Sequence, residues 1–149
     1  MGEAPAELAS RLESGTESVV TALAGRRDDD ARILAHHLAT SHALALSLAQ
    51  AVVNREPLPS ISWALMHELN LRHVRANTTV GLAEAVELLR TTTAATAEAI
   101  RQLTGEQLDV TASWGLGAED AAVSARLLIE TRLIGHAEEH LAELSARSS

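Results

Sequence analysis

Apolar residues recur at alternating steps of three and four along four long stretches of this chain, and no stretch alternates apolar and polar residues long enough to read as a strand. A period near 3.6 gathers such residues on one face of a helix, so the chain is expected to bury helical faces against one another. The first stretch, from about Pro5 to Ala24, carries Leu8, Leu12, Val19 and Leu23, with Gly25 placed to end it and Ser14-Gly15-Thr16 as a weak middle. The second opens on Asp28-Asp29-Asp30, which suits a helix N-terminus, and runs to about Asn54 before Pro57 and Pro59 stop it. Its seam is Leu34, Leu38, Ser41, Ala45, Leu48 and Val52. A shorter helix, roughly Ser62 to Arg75, precedes the third seam of Leu82, Val86, Leu89, Thr93, Thr96, Ile100 and Leu103, with Thr78 or Thr79 as N-cap and Gly105 at its end. A loop from Asp109 to Gly117 carries Trp114, and the fourth long helix spans about Ala118 to Ala146. Long helices joined by short connections pack antiparallel. The expected fold is therefore all-α: a single domain over residues 1–149, an up-down-up-down four-helix bundle with a short extra helix between helices 2 and 3.

Composition narrows the function classes. Trp63 and Trp114 are the only aromatic residues besides histidine, and cysteine is absent, which removes disulfides, thiolate metal sites and a cysteine nucleophile together. Any thiol chemistry needs an external thiol. With 12 Lys and Arg against 20 Asp and Glu the formal charge is −8, which repels phosphate backbones, so nucleic acid is not an expected partner. No apolar run approaches the roughly 20 residues of a membrane span, and Met1-Gly2-Glu3-Ala4-Pro5 shows no basic segment leading into an apolar one. No membrane association and a cytoplasmic location are the expectations.

The seven histidines sort by direction. On a helical wheel His37 falls about 60° from Leu34, between Leu34, Ser41 and Leu44, whereas His36 falls roughly 160° away among polar residues. His37 is expected to point inward and His36 to water, with His42 at the boundary of the stripe. In the fourth helix Ile129, Leu133, His136, Ala137, His140 and Leu144 share a sector of about 100°, so two imidazoles one turn apart lie on the apolar face. A buried neutral imidazole needs partners for its ring nitrogens, and one cation shared by such a pair supplies them. A lone inward histidine is ordinarily a hydrogen-bonded core residue; three on one small helical core point to a metal site. No Glu-x-x-His occurs, which disfavours a di-iron site. The string His136-Ala137-Glu138-Glu139-His140 fits the His-x-x-Glu-His pattern of inverted zinc peptidases, but those are larger α+β enzymes, and Glu139 projects off the histidine face.

Two strings resemble the DinB/YfiT-like metal-binding family: Leu34-Ala35-His36-His37-Leu38-Ala39-Thr40-Ser41-His42 in the second helix and His136-Ala137-Glu138-Glu139-His140-Leu141-Ala142-Glu143-Leu144 near the end. The order, one histidine from helix 2 and two from the last helix, also agrees. The resemblance implies a four-helix bundle, commonly a homodimer, whose three-histidine site of His37, His136 and His140 holds zinc or nickel, with iron a further option. It implies metal-dependent hydrolases or enzymes that use a small thiol such as mycothiol or bacillithiol, acting on a small-molecule substrate. The chain departs from the family in its few aromatics and in Thr40, where an acidic residue often follows the histidine pair.

Three neutral histidine ligands leave at least one coordination position open, the arrangement of a catalytic metal. An ion there lowers the pKa of a thiol or water, giving a metal-dependent thiol S-transferase, isomerase or hydrolase. No inward carboxylate stands out as a base; Glu130, Glu68 and His67 are candidates by position. The alternatives are a non-catalytic, stress-related or metal-storing protein and a helical interaction module without metal.

Overall fold

The computed structural model describes residues 2–59, 61–114 and 121–147. It is mainly helical: α1 (Pro5–Leu23), α2 (Asp29–Val53), α3 (Trp63–Ala76), α4 (Leu82–Arg101) and the single turn α5 (Gly105–Leu108) lead to a two-stranded antiparallel ribbon, β1 (Thr111–Trp114) and β2 (Ala121–Ser124). A last helical stretch follows without a break, made of α6 (Ala125–Leu128), a π-helical segment (Ile129–Ile134) and α7 (Gly135–Arg147). No helix among the described residues is long and apolar enough to cross a membrane.

The helix ends follow local chemistry. Pro5 opens α1, where its missing N–H costs nothing, and Gly25 takes the left-handed φ of 82° that turns the chain beyond its end. Ser14-Gly15-Thr16 does not interrupt α1, because Thr16 is buried against α4 and packing outweighs propensity. Ser62 caps α3 by accepting a hydrogen bond from the Leu65 amide at 3.2 Å. The third long helix starts later than expected, with Gly81 rather than Thr78 or Thr79 as N-cap, and it ends at Arg101; Gly105 opens α5 instead, under a capping box of Thr104 and Gln107.

The segment expected to be a loop pairs as strands, with Thr111 opposite Ser124 and Trp114 opposite Ala121. The fourth helix therefore begins at Ala125 rather than Ala118, capped by Ser124 through the Leu127 amide. The Gly115–Gly117 part of that loop, and Ala118 itself, lie outside the described residues.

Two apolar clusters fill the interior. The larger includes Leu8, Leu12, Leu48, Val52, Ile100 and Leu133, and the smaller Val19, Leu23, Leu38, Leu89 and Leu144. Between them every long helical stretch contributes buried polar residues: Thr16 from α1, Ser41 and His42 from α2, Thr93 and Thr96 from α4, and His136 from α7. Thr16 Oγ1 and Thr93 Oγ1 bond across this layer at 3.0 Å.

The order in which each stretch meets the clusters fixes its direction. Residues 8–23 and 125–144 pass from the larger cluster to the smaller, whereas α2 and α4 both pass from the smaller to the larger. The four stretches thus run up, down, down, up, which corrects the expected up-down-up-down order. The reason is α3: its 14 residues carry the chain back along α2, so α4 starts from the same end as α2 did.

Two glycines inside helices have opposite environments. A Cβ on Gly135 would stand 2.9 Å from the Glu130 carbonyl oxygen, which the wider π turn brings under Gly135, whereas one on Gly15 would meet only the Ala137 methyl at 3.9 Å. Gly15→Ala is expected to raise stability by about 0.5–1 kcal/mol through helix propensity. Gly135→Ala is expected to lower it by about 1–3 kcal/mol through crowding. Urea unfolding of the two variants checks the opposite signs.

Candidate metal centre

α2 and α7 place the three expected histidines together. Nε2 of His136 lies 3.3 Å from Nε2 of His37 and 3.0 Å from Nε2 of His140. One ligand nitrogen from each of the three falls within 4.8 Å of the others, close enough to hold one metal ion. His37 and His136 are buried and His140 is half-buried.

Hydrogen bonding alone cannot satisfy this arrangement. A neutral imidazole carries one N–H, so if His136 donates from Nε2 its Nδ1 is a bare acceptor, and if it donates from Nδ1 that proton has nowhere to go. In either tautomer its buried Nδ1 has no partner. Burial first, and then the positive charge of neighbouring imidazoles, pushes His136 down to about 2 and His37 down to about 3. Both are therefore neutral near pH 7, with lone pairs free for a cation. The donor set fits a borderline divalent ion such as zinc or nickel.

The nitrogens facing away from the centre have partners in two of the three rings. Nδ1 of His140 lies 3.3 Å from the Glu143 carboxylate, one turn on. Nδ1 of His37 faces Ser41 Oγ at 3.5 Å, and Ser41 Oγ accepts a 2.9 Å hydrogen bond from the Asn70 side chain of α3. Asn70 Oδ1 in turn accepts from Thr40 at 2.6 Å, so Thr40 anchors α3 to α2. Such outward contacts fix ring orientation and tautomer in metal-binding histidines.

α3 walls one side. The His67 ring centroid is 4.6 Å from that of His37 and 5.3 Å from that of His136, and Trp63 packs edge-on to His136 at 6.2 Å. The Arg132 guanidinium lies 5.2 Å from the Trp63 ring, a cation–π contact. His37 and His140 also line a cavity bounded by α2, the C-terminal half of α3 through Leu71 and Arg75, and α7. Of the three base candidates only His67 comes to the centre. Glu68 is exposed and paired with Arg72, and Glu130 lies in the π segment. Glu139 is exposed, as expected. Glu143, Ser41 and Trp63 were not singled out as site residues, although the i,i+3 spacing of Glu143 from His140 and the i,i+4 spacing of Ser41 from His37 were readable signals.

His36 corrects the wheel: it is 5% exposed rather than solvated, because α3 packs over that face of α2. Burial and the nearby His73 and Arg32 depress its pKa. His42 is fully buried, with neither ring nitrogen partnered, and burial pushes it down to about 4.

These depressed values give acid sensitivity a definite sign. An unfolded histidine titrates near 6.5, so between about 6.5 and the folded values the unfolded chain binds protons the folded protein refuses. Stability of the metal-free protein is full above about pH 6.5 and falls with acidification, by up to about 1.4 kcal/mol per pH unit for each such histidine. Urea midpoints at pH 7.5 and pH 5 check this, and His42→Leu is expected to flatten the acid limb. An unchanged midpoint would mean that these rings already charge in the folded state. Comparison with known proteins finds no matching family model, no similar curated protein and no similar solved structure.

Proposed function

We propose that this chain is a metal-dependent enzyme on a DinB/YfiT-like four-helix bundle, holding one zinc or nickel ion through His37, His136 and His140. The observation that carries the reading is the convergence of three Nε2 atoms beside a cavity that two of the rings line. When bound, the ion supplies Lewis acidity that makes a thiol or water a competent nucleophile near neutral pH.

The residues of the chain do the rest. Three neutral imidazoles leave a position open for an exchangeable ligand. Glu143 orients His140, and Ser41, held by Asn70, orients His37. Trp63 and His67, in the first half of α3, cover one face of the rings, while the cavity between α2, the second half of α3 and α7 admits substrate. Since the chain has no cysteine, sulfur chemistry here uses an external thiol of the mycothiol or bacillithiol kind, in transfer or isomerisation; hydrolysis is the counterpart reaction with water. Access from the cavity favours turnover over storage, in which a closed site would serve as well.

Protein purified without a histidine tag is expected to carry one equivalent of zinc or nickel, and His136→Ala to lose it. Glu143→Ala is expected to keep the fold and to weaken metal affinity by about tenfold, read by competition with a chelating dye. Metal-loaded protein screened with low-molecular-weight thiols and electrophiles should show a rate that His140→Ala removes; a metal-loaded protein inert toward all such pairs and toward ester hydrolysis would leave storage as the function.

A further inference from the structure

The cavity beside the three histidines has an approximate volume of 220 Å³, below the ~300–1,000 Å³ of pockets for drug-sized ligands, so its occupant is small. Leu34 and Leu71 give it an apolar wall, and four charged residues line it: Arg26, Asp30, Arg75 and Glu143. Three of the four are already engaged. Arg26 Nε and Nη2 lie 3.0 and 2.9 Å from the two carboxylate oxygens of Asp28, and Asp30 adds to the negative charge felt by the same guanidinium. Glu143 lies against His140.

Arg75, in the last turn of α3, is different. Among the described residues it makes no hydrogen bond or ion pair, yet it lines the same cavity as His37 and His140. A guanidinium presents a fork of donors that matches the two oxygens of a carboxylate.

Resting on the reading of His37, His136 and His140 as ligands, we infer that this cavity selects a small molecule bearing a carboxylate, which Arg75 receives while a second donor atom of the same molecule reaches the metal position. Leu34 and Leu71 pack against the short carbon chain between the two groups. The substrate class is thus a small organic acid with a metal-binding function, rather than a neutral molecule of the same size.

Cobalt(II)-substituted protein tests this, because a thiol entering the coordination shell produces an absorption band that can be titrated without turnover. The probes are mercaptoacetate, 3-mercaptopropionate and 4-mercaptobutyrate, each set against the uncharged mercapto-alcohol of the same chain length. At one chain length at least, the acid is expected to bind about threefold or more tightly than its alcohol, the scale of one exposed charge pair. Arg75→Gln should abolish that preference and leave the alcohol's affinity unchanged, and Arg26→Gln should keep the preference. Equal binding of acid and alcohol at every length, or a preference that survives Arg75→Gln, overturns the inference while the metal site stands. Failure of the wild-type protein to bind one equivalent of cobalt overturns both.

Discussion

Burying imidazole is the constraint on which the rest of the structure depends. A layer of polar side chains crosses the interior between two apolar clusters, and its histidines face one another nitrogen to nitrogen. Each buried ring nitrogen without a partner costs on the order of 1–3 kcal/mol. His136 has such a nitrogen in either tautomer, and its Nε2 meets two other Nε2 atoms of which it can donate to one. A divalent cation at the point of convergence would replace the competing Nε2 contacts with bonds that all three rings can make at once, leaving only the His136 Nδ1 hydrogen without a partner. The depression of His37 to about 3 and His136 to about 2 is the same fact seen as acidity: the interior refuses a proton where it can accept a metal.

The scaffold serves that layer in particular ways. The up-down-down-up order sets α2 beside the last helical stretch, so that His37 meets His136 and His140. The same order leaves α3 lying against α2, where it supplies Asn70 beneath Ser41 and sets His67 and Trp63 around the rings. The π-helical segment ends at the residue before Gly135, and His136 follows at once. That extra residue in the helix sets where the His136 ring enters the core, and Gly135 is the residue whose missing side chain lets the wider turn close over the Glu130 carbonyl. Thr40 and Ser41, three and four residues beyond His37, form with Asn70 a chain of contacts joining α2 to α3.

Much of this was legible in the sequence because helical period alone decides which residues share a face. Leu8, Leu12, Val19 and Leu23 in α1, and Leu89, Thr93, Thr96 and Ile100 in α4, are buried as their spacing requires. The same rule brought out His37, His136 and His140, whose separation of 99 residues between the first two carries no local signal. What the period could not show was anything set by a neighbour. His36 reads as a surface residue on the wheel of α2, and only α3 lying over it makes it buried. The direction of α4 depended on whether α3 was a turn or a return path, a question of trajectory rather than of pattern. The ribbon of β1 and β2 is four residues per strand, too short for alternation to stand out, and the π segment leaves no mark in a wheel drawn at 100° per residue.

The central claim is that three imidazoles share one ion, and X-ray absorption at the zinc edge of tag-free, zinc-loaded protein tests it most directly. The account predicts one zinc per chain, with three imidazole ligands at about 2.0–2.1 Å and a further light-atom ligand, and the loss of this signature in His37→Ala. A spectrum showing one imidazole or none, or one that His37→Ala leaves unchanged, would contradict it.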